Sequence, residues 1–152
     1  MSKLDLNQLH RSFSELSRDS VTLLADHAEE RTYGSGSVIF EGDGSADEFF
    51  VIRSGIVALE MPSPGRDALV VETLGPGELL GVSWAFPPYR WNWRATARGD
   101  VDLVAFDAAG VRDAVKGDPV LRTALLEAVA TEAVDRLHAT RMRLLDIYRA
   151  AS

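Results

Sequence analysis

The middle of the chain alternates short apolar runs with turn residues. Ten of the 12 glycines lie between Gly34 and Gly99, and five of the six prolines lie between Pro62 and Pro88. Many short strands separated by turns are typical of a jelly-roll-type barrel. The runs predict strands at residues 38–40, 48–52, 56–61, 68–72, 78–81, 91–98 and 101–106.

Two of the turns between these strands have strong local signals. Arg53-Ser54-Gly55 predicts a tight hairpin between the second and third strands. Pro62-Ser63-Pro64-Gly65 combines residues that favour turns, so we expect the chain to reverse there into the fourth strand.

The two flanks carry helical patterns instead. In the first, Leu16, Val21, Leu24 and Ala28 recur at roughly helical spacing, and Ser17 is a suitable N-cap. In the second, Asp118 and Pro119 are typical of a helix start, and no glycine or proline follows as far as Ser152. The predicted fold is therefore α+β in one domain, with N-terminal helices in residues 1–30, a β jelly-roll barrel in residues 31–107 and C-terminal helices in residues 108–152.

The last helix has a continuous, mainly apolar seam. Its positions alternate spacings of four and three, as in a heptad repeat. A helix of roughly 30 residues would span ~45 Å, which exceeds the width of a small barrel. We predict a homodimer through this seam, and the alternative is that the seam packs on the chain's own barrel. The seam consists of Leu126, Ala130, Ala133, Leu137, Thr140, Leu144 and Ile147.

The amino-acid composition restricts the kinds of molecule that the chain is expected to bind. The 152 residues include 23 acidic and 16 basic side chains, which gives a net charge of −7, so binding to nucleic acid is not expected. The absence of cysteine excludes disulfides and thiol chemistry. No segment resembles a signal peptide or a membrane span, so we expect a cytoplasmic protein without a membrane partner.

The middle segment resembles the cyclic-nucleotide-binding domain of bacterial catabolite-activator-type regulators. Gly34 and Gly36 precede Val38-Ile39-Phe40, and Glu41-Gly42-Asp43 follows, as in that family's first strand. The stretch 74–81, Leu-Gly-Pro-Gly-Glu-Leu-Leu-Gly, is similar to the approach to the family's phosphate-binding cassette. The resemblance implies a helix–barrel–helix regulator and a cyclic nucleotide, cAMP or cGMP, as the candidate ligand.

The cassette departs from the family pattern at two positions. Val82 stands where the family has a glutamate that accepts hydrogen bonds from the ribose, and valine has no acceptor. Trp91 stands where the family has the arginine that neutralises the cyclic phosphate. Arg90 lies one residue before that position and Arg94 three after it. Both departures count against a cyclic nucleotide as the ligand.

The alternation of side chains along a strand indicates whether Arg90 or Arg94 could take the place of the family's arginine. In one orientation Trp91, Trp93, Ala95 and Ala97 face the barrel interior and Arg94 faces outward; in the reverse orientation Arg94 faces inward. The apolar set favours the first, and Arg90 at the loop end would then be the cation nearest an anionic ligand. The aromatic loop either stacks on a planar ligand or fills the space of one. The candidate ligand-binding set is Gly81, Val82, Ser83, Trp84, Arg90, Trp91, Trp93 and Arg94.

Enzymatic chemistry finds no support in the sequence. The histidines His10, His27 and His138 lie in the helical flanks, so the barrel lacks the histidine cluster of a metal-dependent cupin, and we predict neither catalytic residues nor a metal site. The chain stops at Ser152, soon after the long helix, and we expect no helix-turn-helix and no DNA binding.

Two functions remain. The first is a non-enzymatic regulatory module that senses a small ligand, with a cyclic nucleotide as the candidate, and signals through its long helix. The alternative is a degenerate domain whose filled pocket leaves it as a dimeric scaffold for protein interaction.

Overall fold

A computed structural model describes residues 5–61, 64–65 and 67–151. The predicted start of the first helical flank before residue 5, and Pro62 and Ser63 of the predicted turn, lie outside these residues. The strands are β1 (Ala28–Tyr33), β2 (Val38–Phe40), β3 (Glu48–Met61), β4 (Leu69–Leu74), β5 (Leu79–Leu80) and β6 (Arg94–Asp107). The α-helices are α1 (Leu6–Leu9), α2 (Arg18–Ala25), α3 (Ala108–Ala114) and α4 (Pro119–Ala151). Short 3₁₀ helices occupy Arg11–Phe13, Ser83–Ala85 and Val115–Gly117.

All six strands belong to one antiparallel sheet with the order β1-β6-β3-β4. β2 also pairs with β6, and β5 with β3. The long strands β3 and β6 pair from Glu48 opposite Asp107 to Glu60 opposite Arg94. This jelly-roll-like sheet, with helices on both sides in sequence and a long helix at the end, confirms the predicted fold class.

The hairpin predicted at Arg53-Ser54-Gly55 is wrong. β3 continues through this segment, and its register against β6 shifts between Ile52 and Ile56. Gly55 has φ +91°, and a Cβ at that position would lie 2.3 Å from the Asp100 carbonyl oxygen. The glycine therefore forms a bulge that lets two backbones approach closely, a role with the same local signal as a turn.

The last two predicted strands, and the predicted boundary between the N-terminal helices and the barrel, also differ from the structure. The strands at 91–98 and 101–106 form one strand that begins at Arg94, so Trp91 and Trp93 precede it. β1 begins at Ala28, inside the flank predicted as helical, because residues 28–33 pair with Phe106 through Val101. Ladder pairing here overrides the helical preference of Ala-Glu-Glu.

The predicted helix caps are confirmed. The Ser20 backbone N–H donates to Ser17 Oγ at 3.1 Å, which caps α2. The Leu121 backbone N–H donates to Asp118 Oδ1 at 3.0 Å at the start of α4. Side-chain oxygens thus satisfy donors that a helix start leaves free.

Helix α4 has 33 residues, or ~50 Å at 1.5 Å per residue. Its N-terminal part packs on the domain through Leu121, Leu125 and Ala128, which are buried among the core residues. The seven positions of the predicted seam are all exposed. The structure therefore places a different face of the helix against the barrel and leaves the seam uncovered. Among the described helices, none combines the length and apolar character needed to cross a bilayer.

Replacing Gly55 with alanine should destabilise the domain by about 2–4 kcal/mol, because the new methyl group meets backbone and the positive φ is strained. Gly99→Ala is the matched control in the neighbouring strand, since Gly99 has φ +80° with open space around a Cβ. It should cost about 1 kcal/mol. Chemical denaturation measures both, and equal losses would contradict the bulge interpretation.

Candidate functional site

Gly81 and Trp91 occupy the same small space inside the barrel. Gly81 directly follows β5 and has φ +95°, and a Cβ there would lie 2.7 Å from the six-membered ring of Trp91. The indole is 5% exposed and stacks on Phe40 with ring centroids 4.0 Å apart. The indole therefore fills the hollow beside Gly81 that the sequence predicts as a ligand pocket.

The backbone holds Trp91 in this position. Its N–H donates to the Gly44 carbonyl at 2.9 Å, and its carbonyl accepts from the Asp43 N–H at 2.9 Å. These paired hydrogen bonds join the segment before β6 to the turn after β2. The indole is thus fixed by backbone pairing as well as by stacking.

The segment after Gly81 offers a ligand little polar chemistry. Val82 is half-buried and precedes the 3₁₀ helix Ser83–Ala85 without a side-chain cap. Trp84 is buried and stacks on Phe49 at 4.2 Å, and its Nε1 has no acceptor in the part of the chain that the structure describes. Both Val82 and Trp84 pack against the apolar core, so neither side chain offers a ligand a hydrogen-bond acceptor.

Arg94 lies on the other face of the sheet. Ala95 and Ala97 are buried, as the first of the two predicted orientations requires. The Arg94 Nε lies 3.4 Å from Glu60 Oε1, and the same carboxylate accepts from the Thr96 hydroxyl. This guanidinium is therefore paired with Glu60 by charge, although its buried Nε makes no hydrogen bond within the described residues.

Arg90 lies at the rim of the barrel. Its side chain is exposed, and its guanidinium donates to the carbonyl of Asp43. Trp93 is half-buried and packs against the core cluster. Of the eight predicted residues, the structure brings Gly81 and Trp91 into contact. Val82, Ser83 and Trp84 follow Gly81 along the chain. Arg94 lies on the opposite face of the sheet, next to Glu60.

A buried charged cluster lies between β4 and α4, and none of the features predicted from the sequence includes it. Arg136 Nε lies 3.0 Å from Glu72 Oε2, and a terminal nitrogen of Arg136 lies 3.0 Å from Glu132 Oε1. The side chains of the three residues are 15% exposed or less. The sequence contains a signal for this cluster. Glu132 continues the helical spacing of Leu125 and Ala128, which indicates a carboxyl group on the face of α4 that packs inward.

One arginine in this Glu72–Arg136–Glu132 cluster serves two carboxylates. Burial raises the pKa of Glu132 to about 8, with Arg136 opposing the rise and the charge of Glu72 adding to it. Burial also raises the pKa of Glu72, against the hydrogen bond from Arg136. We expect Glu132 to retain its proton near neutral pH, since a second buried negative charge has no compensating cation.

Comparison with known proteins identifies the family of this chain. The chain belongs to the cyclic nucleotide-binding domain family, whose profile matches residues 30–118. A 66-residue segment, 43% of the chain, is 36% identical to the HTH-type transcriptional regulator Cmr of Mycobacterium tuberculosis (strain CDC 1551 / Oshkosh). The matched segment spans 27% of that regulator.

Solved structures share most of this architecture. A candidate cyclic nucleotide-binding protein of Geobacter metallireducens GS-15 superposes with a TM-score of 0.74 at 28% identity, covering 85% of this chain and 93% of that one. The N-terminal domain of a transcriptional regulator from Streptomyces coelicolor A3(2) gives 0.67 at 27% identity, covering 88% and 93%. The catabolite activator protein of Thermus thermophilus has the same fold, with a TM-score of 0.64 at 24% identity and coverage of 92% and 62%. The predicted resemblance is confirmed.

Replacing Glu132 with glutamine should change how the free energy of unfolding depends on pH. The folded-state pKa of about 8 lies above the usual 4.5, so the stability contributed by the bound proton is complete below pH 4.5 and is lost as pH rises through 8. Glu132→Gln should therefore become more stable relative to the native chain as pH rises from about 4.5 to about 8 in denaturant titrations, with no further change above that range.

Glu127→Gln is the control, because Glu127 is exposed on the same helix. It should leave the pH profile unchanged. A constant difference between Glu132→Gln and the native chain across this range would show that Glu132 is ionised throughout.

Proposed function

We propose that this chain is a non-enzymatic regulatory module that works through protein contacts, assembled as a homodimer along α4. The observation that carries the proposal is the contact between Gly81 and Trp91. The side chain of the protein itself occupies the place where a relative would hold its ligand. Regulation then passes through surfaces, and the uncovered seam of α4 is the surface that continues away from the barrel.

The energetics of the indole support a closed barrel. Burying a tryptophan removes roughly 150–250 Å² from water, which at ~25 cal/mol per Å² contributes at most about 4–6 kcal/mol. A ligand that displaced the indole would lose up to that amount, or about three to four orders of magnitude in affinity. Side chains next to Gly81 would offset little of this lost free energy by contacting the ligand. Val82 accepts no hydrogen bond, and Arg94 forms an ion pair with Glu60.

The exposed seam supports self-association. Leu137, Leu144 and Ile147 have relative exposures of 50%, 52% and 65%. Large apolar side chains at heptad spacing along one helix are the pattern that two-stranded coiled coils bury. Relatives include transcriptional regulators, a class that typically dimerises, which agrees with this proposal.

A sensor of a small ligand in the barrel is the second candidate. The exposed guanidinium of Arg90, at the rim beside Trp91, favours it because an anion that entered there would meet this cation first. The sensor requires the indole to leave Phe40. The two candidates therefore differ in a measurable way, namely whether the native chain binds a cyclic nucleotide.

Titration calorimetry with cyclic AMP and cyclic GMP should show no saturable binding to the native chain up to about 1 mM, because the indole blocks the site. The double variant Val82→Glu/Trp91→Arg restores the acceptor and the cation of the family pattern and removes the indole. It should gain measurable binding, while Val82→Glu alone, which keeps the indole, should not.

Thermal melting must first show that each variant is folded, because an unpaired arginine inside the barrel is destabilising. The native titration stands whatever the variants do. Saturable binding to the native chain below about 100 μM would overturn the closed-barrel proposal in favour of the sensor.

Leu137→Asp should dissociate the homodimer, because it places a charge in the middle of the seam. Light scattering coupled to size exclusion should give the monomer mass for this variant and twice that mass for the native chain. Met142→Asp is the matched control, since Met142 is also exposed on α4 but lies about 140° around the helix from Leu137. A native chain that elutes as a monomer, or a dimer that tolerates Leu137→Asp, would contradict the interface.

A further inference from the structure

A cavity of about 370 Å³ lies outside the barrel, between the 3₁₀ helix Ser83–Ala85, α3 and the first turns of α4. Its volume falls within the range of small-molecule sites, roughly 300–1,000 Å³. Trp84, Leu125 and Leu126 contribute apolar wall. The cavity is distinct from the space that Trp91 fills, because neither Gly81 nor Trp91 lines it.

Three cations from three different elements converge on this cavity. Arg112 belongs to α3, Lys116 to the 3₁₀ helix Val115–Gly117, and Arg122 to α4. The described residues that line the cavity include no aspartate or glutamate. This concentration of positive charge contrasts with the net charge of −7 of the whole chain.

The cations differ in how far they are already engaged. Arg112 donates to the Trp84 carbonyl at 2.6 Å, and its guanidinium carbon lies 4.1 Å from the Tyr89 ring centroid. These two contacts hold Arg112 against the segment that contains Trp84. Lys116 lies 3.6 Å from Asp113, but both side chains are about four-fifths exposed and such pairs are weak. Within the described part of the chain, Arg122 has no carboxylate within 4.0 Å.

We infer that this cavity binds a small amphipathic anion, whose apolar body lies against Trp84 and Leu125 and whose carboxylate or phosphate contacts Arg122 and Lys116. Guanidinium groups suit both anions because they donate paired hydrogen bonds. A ligand held there would contact the segment that follows Gly81 and the start of α4 at once. This inference does not depend on a closed barrel, and the cavity shares only Leu126 with the proposed seam of α4.

Titration calorimetry with octanoate and octyl phosphate tests the site, with octanol as a neutral probe of the same chain length and inorganic phosphate as a head group alone. We expect saturable binding of at least one of the two amphipathic anions, affinity that falls as salt rises, and much weaker binding of octanol and of phosphate. Arg122→Glu should weaken binding about tenfold or more, and Arg122→Lys, which keeps the charge but not the paired donors, should lose less.

Arg141→Glu is the matched control, because Arg141 is exposed on the same helix but does not line the cavity. It should bind as the native chain does, and thermal melting should show all variants folded. Three results would each overturn the inference: no binding of either anion up to about 1 mM, octanol binding as tightly as the anions, or equal losses in Arg122→Glu and Arg141→Glu.

Discussion

The antiparallel pairing of β3 with β6 is the interaction on which the rest of the structure depends. Every other strand pairs with one of these two: β1 and β2 with β6, and β4 and β5 with β3. Because β5 is held on Phe50 and Val51, the chain emerges from it at Gly81 inside the barrel. The segment that leads into β6 returns past the same point, and this brings Trp91 against the glycine.

At that point the molecule replaces polar recognition with aromatic packing. The family pattern calls for a carboxylate and an arginine, whose desolvation is offset only when a charged ligand is bound. An indole against Phe40 needs no ligand to be stable, because its burial is favourable in itself. Under the proposed function, this exchange yields a barrel that is complete without a nucleotide. The surfaces proposed for partners then lie outside the barrel, on α4 and at the cationic cavity beside it.

Helix α4 joins these surfaces because its faces have different environments. One face packs on the domain through Leu121, Leu125 and Ala128 and ends in the Glu72–Arg136–Glu132 cluster. The cluster joins the helix to β4, since Arg136 of the helix pairs with the buried carboxylate of Glu72 on the strand. Beyond it the helix leaves the barrel, and its exposed seam has no counterpart within the described residues.

The sequence by itself determined the features that depend on neighbours along the chain. Glycine and proline spacing located the strands, side-chain oxygens at Ser17 and Asp118 located two helix starts, and heptad spacing located the seam. Val82 and Trp91 also showed, without coordinates, that the family's polar contacts are missing. These signals are local because turn, cap and periodicity each involve residues only a few positions apart.

Tertiary structure decided whatever required a distant partner. Gly55 is a bulge and not a turn because β6 passes beside it, although a glycine with positive φ suits both. Residues 28–30 form a strand because Phe106, Ala105 and Val104 pair with them. Arg136 finds Glu72 across 64 positions of sequence, and Trp91 fills a hollow whose other wall lies on β2 and β5. Such contacts depend on how strands far apart in sequence are brought together, which no window of the sequence contains.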